Sequence, residues 1–304
     1  MESIITIVGF LGAGKTTLLK SLISNYTRAG WDPFVILNDY ENANMDAQQF
    51  YKEIDEKYIK ALSGSCICCS GINELREFVN TIPERENGVT LIEANGTSDA
   101  CSLMGFLGVG LNERFLPPVQ ISVVDANNWQ LRNDHNELEA NQIQVSSLVV
   151  LTHLDKVDES RKNFVINEIN RINPSAKVVS FEDIDIELLP RLTPSSNQAE
   201  KLDHLKAHWS SCSVDIPHFS SLKTIQEIMN RIPKTILRVK GFTTVGDDTE
   251  PTYFEMSSDR EVYIRPFRGP SVTGPKLLTI GPGSEPKIID KLIQEAISSL
   301  DNEA

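Results

Sequence analysis

A chain of 304 residues, 40% hydrophobic and 23% charged, has a globular composition and is long enough for two domains. Its 29 basic and 42 acidic side chains give a net charge of −13, which argues against nucleic acid or an anionic membrane as partner, since both are held by broad positive charge. No leader-like segment opens the sequence and no apolar run reaches membrane-spanning length; five cysteines, three of them within four positions, suit reduced thiols and metal chemistry better than a disulfide framework, so the expected setting is the cytoplasm.

In chain order, residues 4–8 read as a buried strand, and residues 16–25, with Leu18, Leu19, Leu22 and Ile23 on one face, read as an amphipathic helix. Between them Gly9-Phe10-Leu11-Gly12-Ala13-Gly14-Lys15-Thr16-Thr17 fits the phosphate-binding loop G-x-x-x-x-G-K-[ST]. Glycines let successive backbone N–H groups point into one concavity, Lys15 reaches the β- and γ-phosphates, the Thr16 hydroxyl ligates Mg²⁺, and the helix that follows adds its positive end. The loop therefore predicts a nucleotide binder. Further strands are expected at 34–38, 89–93, 119–124, 147–152 and 177–180, with helical patterns between several of them. Strands alternating with helices imply an α/β fold, a P-loop NTPase domain with a mostly parallel sheet and ligands outside the carboxyl ends of the strands.

Pro190, Pro194 and the polar run Ser195-Ser196-Asn197-Gln198 mark a linker, so the expected organisation is a first domain at 1–190, a linker at 191–205 and a second domain at 206–304. A helical pattern at 222–231, strands at 236–242, 253–256, 262–264 and 277–280, and a last helix at 286–300 make that second domain a small α+β unit. His204, His208, Cys212 and His218 fall close together there, but their irregular spacing reads as ordinary surface positions rather than a metal site. Cys101 reads as a small buried hydrophobe.

Ser65-Cys66-Ile67-Cys68-Cys69-Ser70 offers up to three thiolates from one local loop to a soft or borderline cation, with Zn²⁺ the default. Three cysteines do not complete a tetrahedral site, and an open position suits exchange. The loop motif followed some fifty residues later by Cys-Ile-Cys-Cys resembles the CobW-type GTPases, a family of metallochaperones that includes zinc and cobalt handlers. Asn38-Asp39-Tyr40-Glu41 resembles that family's Asn-Glu-Phe-Gly segment, Glu93-Ala94-Asn95-Gly96-Thr97-Ser98-Asp99 its Glu-Thr-Ser-Gly-Leu-Ala-Asp segment, and Lys240-Gly241-Phe242 and Leu277-Leu278-Thr279-Ile280-Gly281 its C-terminal domain.

The resemblance implies that Glu93 and Gly96 act near Mg²⁺ and the γ-phosphate; Asp39, which follows a strand, is expected either to join Cys66, Cys68 and Cys69 at the transferred metal or to contribute to Mg²⁺, with an N-cap or turn role as the alternative. The base-recognition segment departs from the family pattern: where Asn-Lys-x-Asp or Thr-Lys-x-Asp is expected, this chain has Thr152-His153-Leu154-Asp155. Asp155 can accept from guanine N1–H and its exocyclic amine together, a pair worth about 1.5–3 kcal/mol. His153 is expected to stack on the base as the lysine stem would, or to sit solvated in its loop. Thr97 occupies the place where some signalling GTPases carry glutamine, so slow GTP hydrolysis to GDP is expected. The implied role is delivery of a transition metal to an unidentified metalloprotein client. The residues alone also leave open a P-loop NTPase or kinase with structural cysteines.

Overall fold

The computed structural model describes residues 1–38, 47, 50, 51, 53–62, 72–195, 211–248, 250–256, 260–266, 274–281 and 283–301. Two compact units divide the chain, Met1–His208 and Trp209–Ala304.

The first unit is built from β1 (Ser3–Val8), α1 (Lys15–Arg28), β2 (Asp32–Asn38), β3 (Ile59–Leu62), α2 (Ile72–Thr81), β4 (Gly88–Glu93), α3 (Ala100–Leu107), β5 (Val119–Asp125), α4 (Asn136–Gln144), β6 (Leu148–Thr152), α5 (Glu159–Ile172) and β7 (Lys177–Ser180). Its seven strands lie in the order β3-β2-β4-β1-β5-β6-β7, every pairing parallel. Parallel strands need crossovers, and helices on both faces leave the central strands buried throughout, as β1 and β5 are. Alternation along β1 sends Ile5 and Ile7 to a core with Leu18, Leu19, Leu22 and Ile23 of α1, and Ile4 and Val8 to the opposite core with Leu75 and Val79 of α2 and Leu103 and Leu107 of α3. The central place of β1 sets its carboxyl end between those of β4 and β5, with β6 beyond. Residues at these four strand ends therefore converge.

The second unit contains β8 (Ser211–Asp215), α6 (Leu222–Arg231), β9 (Arg238–Thr243), β10 (Thr252–Met256), β11 (Val262–Pro266), β12 (Lys276–Ile280) and α7 (Pro286–Asp301). Its five strands form an antiparallel sheet in the order β11-β10-β9-β12-β8. Ile225, Ile228 and Met229 of α6 and Ile289, Ile293 and Ala296 of α7 share one core with Val239, Phe254 and Leu277 of the sheet. Among the described residues no helix is long and apolar enough to cross a membrane.

Candidate functional site

The phosphate end of the site is a matter of backbone. At Gly9 the chain leaves β1 with φ 148°, and a Cβ there would lie 2.4 Å from the carbonyl oxygen of Val123 on β5, so only glycine lets the loop pass this close to the sheet. The Ala13 N–H donates to the Phe10 carbonyl at 3.2 Å, which tightens the turn, and Gly14 caps α1 in the left-handed region at φ 98°. Such a turn presents the free N–H groups of the helix start to an anion. Lys15 is buried, and its ammonium donates to the carbonyls of Gly9 at 2.9 Å and Phe10 at 3.2 Å, which lays its positive charge across the loop.

Parallel pairing sets Glu93 of β4 opposite Ile7 of β1, and the Thr16 hydroxyl donates to Glu93 Oε1 at 2.9 Å. Gly96 packs on the loop from the same strand end. A Cβ at Gly96 would fall 2.5 Å from Leu11 Cδ2 and 2.9 Å from the Leu11 nitrogen. Thr16, Glu93 and Gly96, brought into one reading only by motif order, are thus neighbours of the same loop.

Beside the loop opens a cavity of about 330 Å³, the candidate base site, lined by residues that include Gly14, Thr17, Thr152, His153, Asp155 and Phe181. Thr152 contributes indirectly: its hydroxyl donates to the Ala13 carbonyl at 2.8 Å and lies 3.2 Å from that of Val124, so it fastens β6 to the loop. His153 adopts φ 53°, and its Nδ1 lies 3.3 Å from Asp125 Oδ1, which ties the ring that the sequence reading offered to a base. That hydrogen bond, against a smaller cost of burial, raises the His153 pKa above its ordinary value. Burial pushes the Asp125 carboxyl up, yet hydrogen bonds from His153 and Asn128 and the charges of His153 and Arg132 together hold it below the ordinary range.

Arg132 extends this network. Its Nη2 is 3.6 Å from Asp125 Oδ2, its Nε donates to Glu139 Oε1 at 3.3 Å, and its guanidinium lies 4.4 Å from the centroid of the Phe10 ring. A buried chain of contacts therefore runs from Phe10 of the phosphate loop through Arg132 and Asp125 to His153 at the base cavity. Phe181, Arg132 and Gln142 were not singled out by sequence reasoning. Only Phe181 carried a usable signal, since it follows the last predicted strand of the sheet and the carboxyl ends of strands are where ligands sit.

Asp39, Cys66, Cys68 and Cys69 lie outside the described residues, as do His204 and His208. Cys212 is buried in the core of the second unit with its thiol 3.3 Å from the Thr279 hydroxyl, whereas His218 is exposed and bonded to Thr244 at 2.8 Å. Cys101 is half-buried against Asn141, and burial, helped by the charge of Asp99, pushes its thiol up to about 12, which makes it unreactive. Among the described residues no group of three or more His, Cys, Asp or Glu side chains is arranged to hold a metal ion.

A parallel sheet with a phosphate loop at its central strand and an acidic residue at the end of the neighbouring strand defines a P-loop nucleotide-binding protein. The CobW/HypB/UreG nucleotide-binding domain model matches residues 3–180, and the chain belongs to that family. Zinc chaperone YjiA of Escherichia coli is 30% identical over 193 residues, covering 60% of this chain and 59% of that protein. Zinc-regulated GTPase metalloprotein activator 1 of Dictyostelium discoideum is 25% identical over 209 residues, 56% of this chain and 44% of the relative. Zinc chaperone CobW of Pseudomonas aeruginosa is 26% identical over 292 residues, 79% of this chain and 76% of its own length. The first two matches thus span about half the length of those relatives. Among solved structures, Zn(II)-bound YjiA GTPase from E. coli aligns with 97% of this chain and 98% of its own at 17% identity and a TM-score of 0.42; the family assignment rests on the sequence matches.

Proposed function

We propose that this chain is a slow GTPase that carries a transition metal, zinc in preference to cobalt, on Cys66, Cys68 and Cys69 with Asp39, and hands it to a metalloprotein client. One observation carries the nucleotide half of this reading: Thr16, Glu93 and Gly96 meet at the phosphate loop, while a cavity that begins at Gly14 of the same loop ends at Asp155. The backbone N–H groups of residues 12–17 and the Lys15 ammonium take the phosphates, and the Asp155 carboxylate accepts from the two adjacent donors of guanine, which adenine lacks. The Thr16 hydroxyl and the Glu93 carboxylate are hard oxygen donors 2.9 Å apart, a set that fits Mg²⁺. Thr16 would hold the ion directly and Glu93 directly or through water, and the ion would offset phosphate charge.

Turnover is slow in this reading because Thr97 beside Gly96 has no carboxamide to orient water, and Arg132, whose guanidinium packs on Phe10 of the loop, is buried between Asp125 and Glu139. Zinc as cargo is supported by the relatives named zinc chaperones, and three clustered thiols suit it. Residues 1–190 would hold nucleotide and metal, 191–205 would link, and 206–304 would dock the client. Calorimetry with Mg²⁺-GTP and Mg²⁺-ATP tests the nucleotide assignment. GTP is expected to bind at least about tenfold more tightly, and equal or tighter ATP binding overturns it. Phosphate release without a partner is expected below about 1 s⁻¹, and a faster rate contradicts the slow switch.

A further inference from the structure

Gln142 is a buried amide outside every motif of the sequence, yet both of its side-chain donors are spent on the loop that carries Gly96. Its Nε2 donates to the Gly96 carbonyl at 3.1 Å and to the Ser98 carbonyl at 3.2 Å, and the residue is 1% exposed. The end of α4 that carries it is itself fixed. The Gln142 backbone carbonyl, one of those a helix C-terminus leaves without an intrahelical partner, accepts from Ser122 Oγ at 2.6 Å, Gln120 Nε2 at 2.7 Å and Ser146 Oγ at 2.9 Å. Two of those donors stand on β5, so Gln142 projects from the sheet scaffold rather than from a loose loop.

We propose that Gln142 is a positioning residue for the γ-phosphate: it holds the Gly96–Ser98 loop in its triphosphate-reading conformation before nucleotide arrives. Glycine has the freest backbone of any residue, so a turn that begins at Gly96 is held in place on the protein by the contacts its carbonyls make. Gly96 already lies so close to the phosphate loop that a Cβ there would fall 2.9 Å from the Leu11 nitrogen, and the bond from Gln142 to its carbonyl holds it in that place. Within the loop, Asn95 Oδ1 accepts from the Thr97 N–H at 3.2 Å and the Ser98 N–H donates to the Asn95 carbonyl at 3.0 Å, so the turn is closed and only its attachment depends on Gln142. A preset loop costs no ordering when the γ-phosphate arrives, and a diphosphate does not reach it.

The inference rests on the GTPase reading and separates from it experimentally. Gln142→Met keeps length and apolar volume and removes both donors. GDP and GTPγS affinities are measured for wild type and variant, with single-turnover phosphate release from GTP alongside. The expected result is GDP affinity within about twofold of wild type, GTPγS affinity at least about fivefold weaker and phosphate release at least about tenfold slower. Equal losses for both nucleotides, or no loss for either, overturn the positioning role. A wild type that binds neither nucleotide overturns the GTPase reading and the inference with it. If Q142M does not fold, amide exchange in the wild type decides: a preset loop already shields the Thr97 and Ser98 amides with GDP bound, whereas shielding of those two amides that appears only with GTPγS overturns the proposal.

Discussion

The two ends of the nucleotide site are made differently. At the phosphate end the recognising groups are backbone N–H groups and one lysine within nine consecutive residues, shaped by glycines at which a side chain is strained or collides. At the proposed base end they would be side chains after β6 and β7, with His153 tied to a network of Asp125, Arg132 and Glu139 that is buried beneath it. A local backbone motif tolerates little change and reads a charge common to all nucleotides. A network assembled across the sheet can exchange a member, and the resemblance implies such an exchange at His153, where the family pattern has lysine.

Perturbing each end should therefore produce different losses. Lys15→Ala removes a charge that reaches two phosphates, so GTP and GDP affinity should both fall by about a hundredfold or more, roughly 3 kcal/mol, measured by calorimetry. A loss confined to GTP would show that the loop does not grip the phosphate shared with GDP. Asp155→Ala should cost GTP about ten- to a hundredfold and leave ATP almost unchanged, since only guanine presents the paired donors. Parallel losses for both bases would move base recognition elsewhere in the cavity.

The smallest effect belongs to the His153–Asp125 pair. The His153 pKa is raised in the folded protein, so its contribution to stability is fully present below its ordinary pKa and is lost as pH climbs through the raised value. The Asp125 pKa is lowered, so its contribution is present above the ordinary carboxylate value and is lost only as pH falls through the lowered one. Wild type should exceed His153→Gln in stability between those limits, by less than about 1 kcal/mol because the ring is partly solvated, and the margin should shrink toward pH 9. Denaturant midpoints for both proteins at pH 6 and pH 9 measure it, and a margin that grows with pH contradicts the pairing.

Legibility in the sequence follows the same division. β1, α1, β7 and α6 are readable to within a few residues because apolar periodicity and the loop motif are local signals. β3 escapes notice because four residues at a sheet edge, Ile59-Lys60-Ala61-Leu62, of which only Leu62 is buried, carry almost no pattern. β8 escapes because Cys212, read as an ordinary surface position, faces the core together with Val214 in the alternating run Ser211–Asp215. The pairing of Thr16 with Glu93 was foreseeable from motif order. The grip of Gln142 on Gly96 was not, since no spacing rule links a helix end to a strand-end loop 46 residues away.

In the proposed carrier nucleotide state would govern metal binding, so that GTP hydrolysis releases the cargo, and Zn²⁺ affinity measured in competition with a chromophoric chelator tests this coupling. The protein is compared with Mg²⁺-GTPγS, with Mg²⁺-GDP and without nucleotide. The account predicts that Zn²⁺ binds at least about tenfold more tightly with GTPγS than with GDP, about 1.4 kcal/mol of coupling. Equal affinities in all three states would contradict it.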